Sequence, residues 1–271
     1  ISVGATTAIA GSVLLRVLCG SNSRPETLQA PIIVAFLVAV VVSMLFGAFN
    51  GVLVAVFKIQ PMIATLILYT AGRSIAAWIN NNELPVVSDE TFTYFGEFIP
   101  GIPIPTPFFI AVACMIVIGL VLKFTNLRLY TQAVGINENA SRLNGLNPVF
   151  IKILSFVILG VCVAVVGLIK VSRISTINYS VIAKDIEMDA ILAVALGGNA
   201  LGGGKFNMTA SIIGAYVIQC LTTTLYKFQV RSDALPAYKA IVVIILVIVS
   251  APVVREKFNA FMAKRKVKEA V

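Results

Sequence analysis

The stretch Ile32–Phe57 runs for 26 residues without a charged side chain. As a helix it reaches about 39 Å, more than the roughly 30 Å of a bilayer's hydrocarbon core. It does not stand alone. Ile1–Cys19, rich in Gly, Ala and Thr, carries only Arg16, and Pro61–Ile79 carries only Arg73. Phe108–Lys123, Ile153–Ile169, Met208–Tyr226 and Pro236–Val254 are similarly apolar, the last holding Lys239 near its start. Ala190–Leu196 is apolar but too short to span. It follows Glu187 and Asp189 and precedes a glycine cluster, so it reads as a half-helix or broken segment. Non-helical backbone at that depth must line a cavity or be covered by protein. The pattern predicts an all-α polytopic membrane protein, with about seven spanning helices and one half-helix in a single membrane domain over 1–271.

Composition closes off other classes. Hydrophobic residues make up 59% of the chain and charged ones 12%, against roughly 25% charged in an ordinary soluble domain. That excludes a soluble enzyme and a nucleic-acid-binding domain, despite a net charge of +9. With no histidine, His general bases, Ser-His triads and His-ligated metal sites are ruled out. Cys19, Cys114, Cys162 and Cys220 are widely spaced with no C-x-x-C, and read as small buried apolar residues. The chain opens at Ile1 inside an apolar stretch, with no basic region or small-residue cleavage site, and so reads as N-terminally truncated.

Lys/Arg asymmetry sets the expected orientation. Residues 80–106 hold Glu83, Asp89, Glu90 and Glu97 but no Lys or Arg, and are placed outside as a structured periplasmic connection. Residues 124–152 hold Arg128, Arg142 and Lys152, and 255–271 hold six basic residues; both are placed in the cytoplasm. The connection 170–186, with Lys170, Arg173 and Lys184, falls outside by alternation and runs against the rule.

Several local signals carry competing readings. Gly197–Lys205 invites a phosphate-binding loop, but Asn199 takes the first required Gly position and Phe206 the Ser/Thr position. Gly197, Gly198, Gly202 and Gly203 therefore read as a structural turn that lets helices approach closely. Arg16 and Arg73 are charges inside spans, either functional or structural. Glu187 and Asp189 suit the start of a half-helix, where negative charge offsets the dipole. Asn50 fits either helix packing or a substrate path. Asn50, Gln60, Thr65 and Tyr69 offer hydrogen-bonding groups beside apolar helices, as a passage for a hydroxyl-rich ligand needs. The polar stretch Ala133–Pro148 is helix-capable over Asn137–Leu143 and bounded by Gly135 and Gly145; it is either a loop across the membrane face or a docking surface.

Five stretches carry a resemblance. Ile1-Ser2-Val3-Gly4, Asn50-Gly51 with Gln60–Leu66, Gly135–Gly145, Glu187–Ile191 and Gly197–Gly204 together resemble, in order, the permease subunit of bacterial simple-sugar ABC importers, the ribose, arabinose and galactose group. Lys58–Pro61 and Gly204–Asn207 look most like the galactofuranose-type permeases. The resemblance implies an ABC importer permease of about ten helices in the bacterial inner membrane, its C-terminus cytoplasmic, forming the path for a monosaccharide. It implies a non-enzymatic chain that binds no cofactor, with ATP and Mg on a partner ATPase. The implied partners are a second permease chain, a cytoplasmic ABC ATPase, a periplasmic or lipid-anchored sugar-binding protein and membrane lipid, with no nucleic acid. Glu138, Asn139, Ala140, Arg142 and Gly145 would couple to the ATPase. An ion- or proton-coupled secondary transporter and a branched-chain amino acid permease are the alternatives.

Overall fold

The computed structural model describes residues 1–20, 22, 25, 28–98, 104–199, 202–204, 207–231 and 234–250; for 243 and 245–250 only the helical backbone is described. The basic tail at 255–271 and Lys205 lie outside the described residues. Contacts group the chain into two compact units, Ile1–Met188 with Gly202–Gly204, and Asp189–Leu201 with Lys205–Val271.

The helices are α1 (Val3–Cys19), α2 (Ile32–Ala55), α3 (Pro61–Ile79), α4 (Glu90–Thr93), α5 (Thr106–Phe124), α6 (Leu127–Ile136), α7 (Glu138–Leu143), α8 (Pro148–Ile174), α9 (Ile186–Leu196), α10 (Met208–Lys227) and α11 (Leu235–Ser250). Among them α2, α3, α5, α8 and α10 are long and apolar enough to cross a membrane, while α1 is apolar over a shorter 17 residues. The protein is thus an all-α, multi-pass membrane protein.

In the first unit α1 is central. Fourteen of its 17 residues are buried, because α2, α3 and α8 pack around it. Its Gly, Ala, Ser and Thr content suits this position, since small residues let neighbouring backbones close in where lipid supplies no hydrophobic drive. The α2–α8 contact follows the same logic. Ala35, Ala39, Ser43, Gly47, Gly51 and Ala55 recur every fourth residue and are all buried. A side chain on Gly47 would run into the Phe156 carbonyl, and one on Gly51 would sit 2.8 Å from Ile153 Cα. From the other side, one on Gly160 would sit 2.5 Å from the Ser43 carbonyl. Large side chains of α2 such as Val41 and Leu45 are exposed on its surface. That is the outward apolar surface a bilayer requires.

Beside them, a hollow of about 700 Å³ between α2, α5 and α8 is lined wholly by apolar side chains such as Phe36, Val117 and Cys162. It suits lipid chains and offers nothing to a hydroxyl group. Cys19 is buried and Cys114 and Cys162 half-buried, but Cys220 is exposed on α10, contrary to the expectation for all four. An outward helix face in a membrane holds apolar residues without burying them in protein.

Residues 80–98 form a structured end. Asp89 caps α4 by accepting from the Phe92 N–H (3.2 Å). Phe92 is wholly buried and its carbonyl accepts from Ser172 of α8. Val86 pairs with Thr176, and the Tyr179 hydroxyl donates to the Glu83 carbonyl. The opposite end of α8 meets α6 and α7. At 27 residues, α8 is about 40 Å long and so joins the two ends.

In the second unit α9 and α10 approach through glycine. A side chain on Gly197 would lie 2.6 Å from the Ala210 carbonyl, and one on Gly214 would collide with that of Ala193. Lys239 of α11 reaches Asp189 at 2.8 Å.

Candidate functional site

Three polar features stand out against the apolar helices. The first is the end formed by α6 and α7. Asn137 closes α6 and opens α7, its Oδ1 accepting from the Ala140 N–H (3.0 Å). At the far end of α7, the Gly145 N–H bonds to the Arg142 carbonyl and the Leu146 N–H to the Ser141 carbonyl, both at 3.1 Å. This is a Schellman closure, and Gly145 takes the left-handed φ of +81° it requires. Glu138 receives a 2.6 Å hydrogen bond from Lys152 of α8. That bond, with the charges of Lys152, Arg142 and Lys58, holds the Glu138 carboxyl below its ordinary range against a smaller effect of burial.

Asn139, Ala140 and Arg142 all face outward. So does Leu143, 90% exposed, and Ile136 just before α7 is 74% exposed. Sequence reasoning gathered the polar members of this surface and missed the two apolar ones. Their signal was an isolated Leu and Ile in a polar segment between spans. It also missed α6, whose pattern follows directly on an apolar span.

The second feature is interior. Glu187, 3% exposed at the start of α9, and Arg73 of α3 both close on Gly4 of α1. A side chain on Gly4 would meet Glu187 Oε2 at 2.6 Å and Arg73 Nη2 at 3.3 Å. Arg73 Nη1 donates to the carbonyls of Tyr179 (2.8 Å) and Ile182 (3.1 Å), so it turns inward instead of snorkelling. Its guanidinium also lies 5.7 Å from the Tyr69 ring centre.

Of the expected pathway residues, Thr65 and Tyr69 stand four apart on α3, with Arg73 four further along. Thr65 is buried, but its hydroxyl donates to the Pro61 carbonyl of its own helix (2.9 Å). Asn50 is buried on α2; its Nδ2 donates to Ser2 Oγ (3.1 Å) and its Oδ1 has no partner. It borders a void of about 10 Å³ shared with Thr6, Gly47 and Phe156, about the size of one water. Gln60 is exposed at the start of α3, and its side chain makes no capping hydrogen bond there.

The third feature is the glycine turn. Gly197 makes the close approach described above, and Gly198 takes a φ of +75°. Asn199 pins the turn, accepting from the Asn207 N–H and donating to Ser211 Oγ, both at 2.6 Å. Gly203 packs against Gly135 of α6, while a side chain on Gly202 would meet nothing within 4 Å.

The described residues thus form a multi-pass helical protein with a short polar helix at one end of α8 and a half-length helix beginning at a buried carboxyl group. The comparisons give the family. A family model described as the branched-chain amino acid transport system / permease component matches residues 1–251. The chain is 35% identical to the fructose import permease protein FruF of Bifidobacterium longum, over 99% of this chain and 74% of that one. It is 35% identical to the galactofuranose transporter permease protein YtfT of Escherichia coli, over 93% of this chain and 71% of that one. The ribose import permease protein RbsC of Escherichia coli is 31% identical over 92% of this chain and 76% of its own length. No solved structure matches. The chain belongs to this family of transport-system permease components.

Proposed function

We propose that this chain is the membrane-spanning permease subunit of an ABC importer, forming the path by which a monosaccharide crosses the bacterial inner membrane. Relatives named for fructose, galactofuranose and ribose over nearly the whole chain support a sugar over a branched-chain amino acid. The observation that carries the reading is α7. It is a capped, two-ended helix outside the spans, held to α8 by Glu138 and Lys152, presenting Leu143 to the surroundings beside Ile136, the exposed last residue of α6. We read these two neighbouring exposed apolar side chains, bordered by the polar residues of α7, as part of a docking surface. A cytoplasmic ATPase subunit is the partner that fits, and α7 is the helix that seats in it. The basic segment 124–152 then lies in the cytoplasm and 80–98, acidic and free of Lys and Arg, faces the periplasm, where a sugar-binding protein delivers its cargo. Two permease chains enclose the path. Hydrolysis on the ATPase moves the helices between inward- and outward-open states. This chain supplies no catalytic group.

The test is co-expression with the linked ATPase and binding protein. Leu143→Asp should remove the ATPase from the purified complex and abolish uptake of radiolabelled fructose and ribose, with the permease still inserted. Normal ATPase retention by Leu143→Asp would refute the docking role, and ATP-driven uptake of leucine without sugar uptake would refute the substrate class.

A further inference from the structure

The glycine turn between α9 and α10 has a contact that close approach of those two helices does not require. Gly203 and Gly204 lie against the last turn of α6. A side chain on Gly203 would sit 2.6 Å from the Gly135 carbonyl, and one on Gly135 would sit 2.9 Å from the Gly204 nitrogen. A side chain on Gly204 would meet Ile136 at 3.1 Å. These are mainly backbone neighbours, which cannot swing aside as a flexible side chain can. Gly203 and Gly204 also have φ values of +103° and +91°, which L side chains rarely adopt. Gly202, in the same run, has neither constraint: no positive φ, and open space where its side chain would be.

Gly135 stands two residues before Asn137, the cap of α7. Gly203 and Gly204 stand in the chain between α9 and α10. The backbone contact therefore ties the base of the docking helix to the link between two other helices. Resting on the importer reading above, we propose that Gly203 and Gly204 are positioning residues that transmit movement of α7 into the α9–α10 link. In this role the glycines touch neither nucleotide nor sugar. They let two backbones bear on each other without a compressible side chain between them.

The experiment uses the whole complex in proteoliposomes and measures fructose moved per ATP hydrolysed. Gly203→Ala should keep its ATPase subunit and basal hydrolysis, yet lose about tenfold or more in sugar moved per ATP. Gly202→Ala should match the unmodified protein. A second measurement covers a Gly203→Ala protein that does not assemble. In the unmodified complex, amide hydrogen exchange of 133–137 and of 202–204 should change together on nucleotide trapping, because the contact moves as a unit. Normal transport by Gly203→Ala, equal loss in Gly202→Ala, or exchange that changes at 133–137 without changing at 202–204 overturns the proposal alone. Absence of ATP-dependent uptake by the unmodified complex overturns the importer reading and this proposal with it.

Discussion

Arg73 Nη1 donates to the Tyr179 carbonyl at 2.8 Å, across 106 residues of sequence. The bond fixes α3 to the irregular segment that leads into α9, and the adjacent Ile182 carbonyl shares the same nitrogen. Arg73→Met should leave both carbonyls without a charged donor in a partly buried place. The cost of an unsatisfied buried group is about 1–3 kcal/mol. Thermal unfolding of the detergent-solubilised protein should show a clear fall in midpoint for Arg73→Met and a smaller one for Arg73→Lys, which keeps a single donor. Equal midpoints for all three proteins would mean the bond contributes nothing.

That bond was beyond reach of sequence reasoning, because nothing local in Arg73 names a partner so far away. Lys239 and Asp189 are a second instance: each could be marked as unusual, but their pairing is tertiary. Features set by neighbours in the chain were legible. Asn137 and Gly145 bracket α7 with cap chemistry that needs no distant residue, and the short apolar run after Glu187 and Asp189 marked α9. The four-residue repeat from Ala35 to Ala55 was present but masked, since it sits inside a helix apolar on every side. Exposure was the other gap. Leu143 reads as an ordinary core leucine until the fold turns it outward.

The small-residue stripe makes a sharp prediction. Gly47→Leu should push α2 from α8, because its side chain meets the Phe156 backbone. Overpacking typically costs about 1–3 kcal/mol. Leu45→Ala, two residues away on the exposed face, should change little. Monodispersity on size-exclusion chromatography should fall for Gly47→Leu only.

Asn50 and Thr65 should separate in uptake assays. The Thr65 hydroxyl donates to the Pro61 and Met62 carbonyls of its own helix and accepts only a long 3.3 Å bond from the Ile1 nitrogen, so Thr65→Val removes little beyond α3. Asn50→Leu removes the bond to Ser2 and places an apolar side chain beside a water-sized void. Uptake should fall several-fold in Asn50→Leu and stay near normal in Thr65→Val. The opposite ranking would place Thr65, not Asn50, in the sugar path.

Glu138 gives a pH prediction. Its folded pKa lies below the ordinary value of 4.5. The pair with Lys152 therefore adds stability that is complete above that value and is lost as pH falls through the lower, folded one. The complex should show no pH dependence from this pair between about pH 6 and 8. Both groups are part-exposed, so the interaction is about 1 kcal/mol or less and weakens with salt. A double-mutant cycle of Glu138→Gln and Lys152→Met, read by thermal unfolding at low and high salt, measures it.

Gly145 tests what its small size is for. If its size serves only to fit a groove of the ATPase, variants should lose ATPase in order of side-chain volume, with Asn worse than Ala. The structure gives a different reason for glycine. A side chain on Gly145 meets nothing within 4 Å in this chain, whereas its φ of +81° is left-handed. That conformation costs most L residues roughly 1–2 kcal/mol, and Asn less, because its short polar side chain bonds locally. The closure it completes holds the Arg142 and Ser141 carbonyls at the end of α7. Losing it should fray the turn that orients Leu143. ATPase co-purification should therefore rank unmodified, then Gly145→Asn, then Gly145→Ala, then Gly145→Val, with equal amounts of inserted permease. Each full step of 1.4 kcal/mol is about tenfold in association, so Val should retain roughly a tenth of the ATPase or less. A ranking with Ala above Asn would assign Gly145 to groove fitting instead of to the left-handed turn.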